Sequence, residues 1–272
     1  MRTILITGCS SGIGHHAAHA MKARGWRVFA ACRREADCER LRAEGLESPR
    51  IDYEAPDTIE TGLAEVLAAT GGRLDALFNN GAYAIPGLVE DLPTDALRAI
   101  FEANFFGWHD LARRVIPVMR AQGHGRIVQN SSVLGFAAMP WRGAYNATKF
   151  ALEGLTDTLR LEMRGTGIHV VLIEPGPITS RFRANARLQF ERWIDWEASA
   201  RREDYRAQIR RFEQTGTDRF ELGPEAVTAK LVHAVEAARP RPRYYVTVPT
   251  HLGGALRRIL PTRALDAVFA RN

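Results

Sequence analysis

The eight residues Thr7-Gly8-Cys9-Ser10-Ser11-Gly12-Ile13-Gly14 lie between an apolar run at 3–7 and a helix-forming run that begins at Ile13. A strand that ends in a glycine turn and opens a helix constrains the fold more than any other feature here. It is the βα unit with which parallel sheets hold phosphate on a helix N-terminus. Gly8 permits a tight turn, Gly12 lets the backbone approach a pyrophosphate, and Gly14 lets the helix pack closely. Ser10, Ser11 and Ile13 complete the loop. The spacing is Gly-x3-Gly-x-Gly, not the Gly-x-Gly-x-x-Gly of the dinucleotide fingerprint. Taken alone the loop also fits a structural turn; its place between strand and helix favours a bound dinucleotide.

The rest of the chain repeats the same grammar. Short apolar runs at 3–7, 27–31, 48–52, 74–79, 126–130, 168–173 and 244–248 do not alternate polar with apolar residues. They read as strands buried on both faces of a parallel sheet. Helix-length segments at 13–24, 56–69, 94–120, 144–164 and 224–238 lie between them. This alternation predicts an α/β doubly wound sheet with helices on both faces. One domain is expected over 1–272, long enough to bury its own core. Residues 179–218 break the pattern and are rich in arginine and aromatics, among them Phe182, Phe190, Trp193, Trp196, Tyr205 and Phe212. A long insertion at the carboxyl end of a sheet is a natural substrate lid. A helical tail is expected over about 250–272.

Cys9, Cys32 and Cys38 are odd in number and form no CxxC, which argues against a disulfide framework or zinc site and for a reducing, cytoplasmic setting. The opening residues are too short a run for a signal peptide. The formal charge is +6, but arginines are scattered and often stand beside glutamate. They read as solvated helix faces, and no nucleic-acid partner is expected.

The end of the second apolar run helps to choose the cofactor. A carboxylate there binds ribose hydroxyls; this chain has Cys32-Arg33-Arg34 instead. Arginine at this point pairs with a 2′-phosphate, so NADP(H) is expected. Asp52 stands where the adenine amino group would be met. Asn79-Asn80-Gly81-Ala82 closes the fourth run: the amides tie neighbouring strands, and Gly81 lets backbone approach the adenosine.

Tyr145 and Lys149 are four residues apart and share a helix face. A free phenol, with a pKa about 10, is a poor base at neutral pH. A neighbouring cation stabilises the phenolate, so this tyrosine is expected to exchange a proton with a carbonyl or alcohol. Ser132 follows the run 126–130 at the carboxyl edge and is placed to align the substrate oxygen. Asn104 sits inside a predicted helix, where asparagine is a poor helix former; it is placed to hold a water linking Lys149 to solvent. Tyr83, Met139 and Trp141 are near these motifs and are expected in the substrate pocket.

Together, Thr7–Gly14, Asn79–Gly81, Asn104, Ser132, Tyr145, Lys149 and Pro175-Gly176 resemble the motif set of the short-chain dehydrogenase/reductase family, in family order. The resemblance implies a seven-stranded Rossmann sheet and a tetrad of Asn104, Ser132, Tyr145 and Lys149. Tyr145 would be the acid/base, Lys149 would bind the nicotinamide ribose, and Pro175, Gly176, Ile178 and Thr179 would meet the nicotinamide. It implies a homodimer or homotetramer. The family usually carries Asn-Asn-Ala-Gly where this chain has Asn79-Asn80-Gly81-Ala82. The C-terminal part resembles the bacterial branch near 17β-hydroxysteroid and retinol dehydrogenases, which implies a hydrophobic aldehyde, ketone or secondary alcohol. Two other readings stay open: a 3-oxoacyl-thioester reductase, and a non-catalytic NADP-sensing protein.

Some features fall outside this scheme. His15 and His19 have metal-ligand spacing, but no glutamate follows His15 to complete His-Glu-x-x-His, so no metal is expected. Cys9, near a helix N-terminus, reads as a small loop filler rather than a nucleophile. The tail alternates arginine with apolar residues and is expected to pack on the body, with membrane-surface contact as the minor alternative.

Overall fold

The computed structural model describes residues 1–213 and 220–270, without the side chains of 211–213. The Phe212 side chain and residues 214–218 of the expected lid lie outside them. The elements run β1 (Thr3–Thr7), α1 (Gly12–Ala23), β2 (Arg27–Ala31), α2 (Glu35–Ala43), α3 (Pro56–Thr70), β3 (Ala76–Asn79) and α4 (Thr94–Phe101). A π-helical stretch, Glu102–Phe106, joins α4 to α5 (Gly107–Ala121). Then come β4 (Gly125–Asn130), α6 (Gly143–Glu162), β5 (Ile168–Glu174), α7 (Phe182–Trp193), α8 (Arg202–Glu213), α9 (Pro224–Glu236), β6 (Arg243–Tyr245), α10 (Val248–Ile259) and α11 (Thr262–Phe269).

The sheet is parallel, with order β2-β1-β3-β4-β5-β6. The chain leaves β1 to one side and returns to β3 on the other. The crevice at the carboxyl ends of β1 and β3 is therefore the topological switch point where open α/β sheets bind ligands. One face is covered by α1, α2 and α9 through Ala17, Met21, Leu41, Val227 and Leu231. The other is covered by α3, α5 and α6 through Ile59, Val66, Trp108, Leu111, Val115 and Leu152.

Six strands form among the described residues, not the expected seven. The run 48–52 keeps one isolated bridge, Cys32 with Arg50, and a second, Phe29 with Glu47, just precedes it. Pro49 lies between them on the sheet edge and has no N–H for the ladder. Its neighbours still hold the edge: Ser48 Oγ donates to the Ala30 carbonyl at 2.6 Å and the Ile51 N–H to the Cys32 carbonyl at 2.9 Å. The last strand ends at Tyr245 because Pro249 lies in the first turn of α10.

The region expected to be a lid folds as α7 and α8. Their Phe182, Ala186, Phe190, Trp193 and Tyr205, with Ile194 between them, join Tyr83, Ile85, Trp141 and Tyr145 in a third apolar cluster. The tail forms α10 and α11. Helix α10 packs through Thr250, Gly253 and Gly254, and the Arg257 guanidinium donates to the Phe136 carbonyl.

Candidate active site

The glycine loop is built by close approach. Gly8 has φ +68° and Gly12 φ +59°, in the left-handed region. A Cβ on Gly8 would come 2.5 Å from the Gly81 Cα, and one on Gly14 would come 2.4 Å from the Gly8 carbonyl oxygen. One on Gly12 would stand 2.9 Å from the Ser180 Cβ, so the loop also meets the segment after β5. Asn80 braces the turn: its Nδ2 donates to the Thr7 carbonyl at 3.0 Å, while its Oδ1 accepts from Asn130 Nδ2 at 2.8 Å.

Ser11 caps α1 without a side-chain bond to the helix, and the first turn carries no acid. The leading N–H groups and the positive helix end are thus left for an anion. With the glycine cradle, this donor set fits the pyrophosphate of a dinucleotide. Cys9 Sγ lies in the core and donates to the Ile6 carbonyl. Burial pushes its thiol well above the usual range, consistent with a filler. All three cysteines are buried and free.

Arg33 is exposed directly after β2, beside buried Cys32. Arg34 Nε is paired with Asp37 at 2.8 Å. Arg40 was not anticipated from the sequence: its Nη2 donates to the Ser10 carbonyl at 2.7 Å. Asp52 is half-buried and its Oδ1 accepts the Glu54 N–H at 3.2 Å, a local turn bond. The Asn79 side chain is fully buried and spent within the protein. It accepts from Tyr53 Oη at 2.7 Å and donates to Gln129 Oε1 at 2.9 Å and the Trp108 carbonyl at 3.3 Å. It ties the sheet end, while Gly81 is the member of this motif that meets the glycine loop. A Cβ at Gly81 would stop 3.3 Å from the Gly8 nitrogen, so glycine relieves a tight contact there.

Helix α6 carries Tyr145 and Lys149, both buried, and Ser132 is buried after β4. Lys149 Nζ donates to the Asn130 carbonyl at 2.9 Å. It lies 4.1 Å above the Trp108 ring and 5.6 Å from the Tyr145 ring centroid. Ser132 Oγ accepts the Leu134 N–H at 3.1 Å, which fixes the hydroxyl against the loop. Burial pushes the Tyr145 phenol above its usual range, with a bond from Ser132 acting the other way. Burial also lowers Lys149 to about 7. The expected lowering of the tyrosine is therefore absent in the cofactor-free protein: its desolvation outweighs the bond from Ser132.

Asn104 lies in the π-helical stretch and is fully buried. Its Oδ1 accepts the Tyr83 N–H at 3.1 Å and its Nδ2 donates to the Tyr83 carbonyl at 2.8 Å. A weaker contact runs from Nδ2 to Thr148 Oγ1 at 3.3 Å. Its side chain ties the loop after β3 to the π-helical stretch and reaches the helix bearing Tyr145 and Lys149.

Apolar residues wall this end. Tyr83 and Trp141 lie in the same cluster as Tyr145, whereas half-buried Met139 does not. Tyr83 Oη donates to Glu54 Oε1 at 2.9 Å. Trp141 has φ +65°, an unusual conformation for a bulky residue, and its ring stands edge-on to Tyr205 at 4.9 Å. Helix α7 brings the Phe182 ring against Tyr145. Behind them, the Pro175 carbonyl accepts the Val133 N–H at 2.8 Å, and Gly176 leaves no room for a Cβ beside Thr247. Ile178 bridges to Leu222, and exposed Thr179 donates its N–H to the Leu222 carbonyl at 2.9 Å.

Comparison with known proteins agrees with this arrangement. The sequence profile of the short chain dehydrogenase family matches residues 2–190. The uncharacterized oxidoreductase YbbO of Escherichia coli is 40% identical over 269 residues, covering 98% of this chain and 94% of that protein. Retinol dehydrogenase 8 of Homo sapiens is 34% identical over 195 residues, 69% of this chain and 62% of that protein. A short chain dehydrogenase/reductase from Burkholderia phymatum, solved in complex with NAD, superposes with a TM-score of 0.78 at 27% identity, covering 98% and 94% of the two chains. With the glycine cradle at the switch point and Ser132, Tyr145 and Lys149 gathered at one sheet end, the chain is a member of the short-chain dehydrogenase/reductase family of NAD(P)-binding oxidoreductases.

Proposed function

We propose that this chain interconverts a hydrophobic aldehyde or ketone and its alcohol with NADP(H), using Tyr145 as proton donor and acceptor. The observation that carries the reading is the placement of Tyr145. Its phenol shares a helix with Lys149, interacts with Ser132, and faces the apolar wall of Phe182, Trp141 and Tyr83. Bound NADP(H) supplies or accepts the hydride. The Gly8–Gly14 loop and the first turn of α1 would hold its pyrophosphate. Tyr145 Oη would protonate the substrate oxygen in reduction and take the proton back in oxidation. Ser132 Oγ would hold that oxygen in line, and Lys149 would hold the nicotinamide ribose. Asn104 would act by positioning, through its hold on Tyr83.

The NADP(H) preference rests on Arg33 and on the missing carboxylate at the end of β2. The apolar substrate class rests on the aromatic cluster and on the likeness to retinol dehydrogenase 8. Phe106, Phe150 and Leu161 are exposed on the π-helical stretch and α6, which supports a homo-oligomer through those elements. The buried, unpaired thiols support a reducing, cytoplasmic setting. No helix among the described residues is long and apolar enough to cross a membrane.

The test is NADPH consumption over a panel of carbonyls graded in size and polarity, with Kd measured for NADPH and NADH. Turnover of apolar carbonyls and tighter NADPH binding are expected. A folded Tyr145→Phe variant with undiminished turnover overturns the mechanism, and tighter binding of NADH overturns the cofactor choice.

A further inference from the structure

The side chains of His15, His19 and Glu44 meet on the protein surface, away from the tyrosine and lysine. His15 and His19 are one turn apart on α1, with ring centroids 4.6 Å apart. Glu44 is the residue that ends α2. His15 Nε2 lies 2.7 Å and His19 Nε2 2.8 Å from the same oxygen, Glu44 Oε2. One donor atom from each residue falls within 4.8 Å of the other two. All three side chains are partly exposed, which leaves one side of the cluster open to water. His16, between them, points elsewhere and bonds Thr228 Oγ1 at 2.8 Å.

We propose that His15, His19 and Glu44 form a binding site for a divalent transition-metal ion, of the zinc, cobalt or nickel class. Two imidazoles and one carboxylate are the donor set these ions take in preference to magnesium or calcium, which favour oxygen ligands. The i, i+4 helix spacing fixes two ligands before the ion arrives, and Glu44 supplies the third, which no neighbour in sequence provides. Metal bonds of about 2.0–2.2 Å hold ligand atoms roughly 3.3 Å apart in a tetrahedron. Each of the two histidine–Glu44 separations therefore needs to open by only about half an ångström.

Arg40 Nη1 occupies the other oxygen of Glu44 at 2.5 Å. It aims Oε2 at the imidazoles, as partners behind metal ligands do. Its charge also opposes a cation, so affinity in the micromolar range is expected rather than the far tighter hold of a closed structural site. Cys9, Cys32 and Cys38 are buried and offer no competing exposed thiolate.

The test uses the full, cofactor-free chain at neutral pH, titrated with ZnCl2 by calorimetry and with CoCl2 by visible absorption. One equivalent of Zn2+ at micromolar Kd is expected, with d–d bands of reduced-coordination Co2+. His15→Ala/His19→Ala and Glu44→Gln, each checked for fold by circular dichroism, should weaken binding at least about tenfold. Binding no weaker in the double variant, unchanged affinity in Glu44→Gln, or no stoichiometric binding to the wild type below millimolar metal would each overturn the site.

Discussion

The Phe182 ring stands edge-on to the Tyr145 ring, with centroids 5.4 Å apart and planes at 69°. This contact joins α7 to the helix of the reacting pair, so the irregular region after β5 reaches the proposed site of chemistry. An edge-to-face aromatic pair with its buried area is worth about 1–2 kcal/mol. Phe182→Ala is therefore expected to raise KM for bulky apolar carbonyls by about tenfold, with much less change in kcat. Steady-state kinetics on a large and a small carbonyl check this. An equal loss on both would show that Phe182 holds the site together rather than selecting substrate.

Lys149 is a buried amine that donates to the Asn130 carbonyl, and burial lowers it from 10.5 to about 7. A depressed folded-state value in a base means that the unfolded chain binds more protons between those two pH values. Stability from this group accordingly rises with pH from about 7 towards 10.5, and its cost is fully present below 7. Lys149→Met should raise the Tm of the cofactor-free protein near pH 7. The difference from wild type should shrink as pH climbs towards 10. Differential scanning fluorimetry across that range reads it; a constant or growing difference contradicts the assignment.

Much of this was legible in the sequence, for reasons that differ by element. The strands declared themselves because residues buried on both faces must all be apolar, and the glycine loop because only glycine fits Gly8 against Gly81. Asn104 stood out as a poor helix former, but its two bonds to Tyr83 span 21 positions and leave no trace in local pattern. Arg40 on Ser10 and Glu44 on His15 are hidden in the same way, by separations of 30 and 29 residues. The third run, 48–52, does not form a strand because Pro49 interrupts the ladder and Ile51 is its one strand-forming apolar residue. Nothing marks Trp141 for the left-handed region; packing against Tyr205 and the Gly87 N–H bond to the Trp141 carbonyl hold it there.

Arg243 is the hub of an acidic cluster in which Glu153 and Glu174 are buried and Asp157 is half-buried. Its guanidinium bonds Glu153, Glu174 at 2.6 Å and Asp157 at 2.5 Å. Burial first, and then neighbouring carboxylates, push Glu153 and Glu174 up, while Arg243 pulls both back. Removing one partner from such a network costs about 3–5 kcal/mol. Arg243→Met should cost that much at pH 8, where the carboxylates must carry charge to match the unfolded chain. With raised folded-state values, stability falls as pH rises, so the deficit should narrow at pH 5, where the acids take up protons. Urea unfolding at the two pH values checks the sign; a larger deficit at pH 5 would refute it.

Asn104 and Tyr83 give the sharpest separation of a positioning role from a water-holding one. The Asn104 amide satisfies both backbone groups of Tyr83, and all of these atoms are buried. Asn104→Ala leaves a buried N–H and a buried C=O without partners, each costing about 1–3 kcal/mol. Asn104→Asp keeps the shape and still accepts the Tyr83 N–H, but sets a carboxylate oxygen against the Tyr83 carbonyl. Both variants should lose stability as well as kcat. The aspartate should recover part of its loss at acid pH, because a protonated carboxyl can donate to that carbonyl as the amide does. Urea midpoints at pH 5 and pH 8, with kcat at each, decide it. A drop in kcat with stability unchanged within about 0.5 kcal/mol would return Asn104 to the water relay expected from the family resemblance.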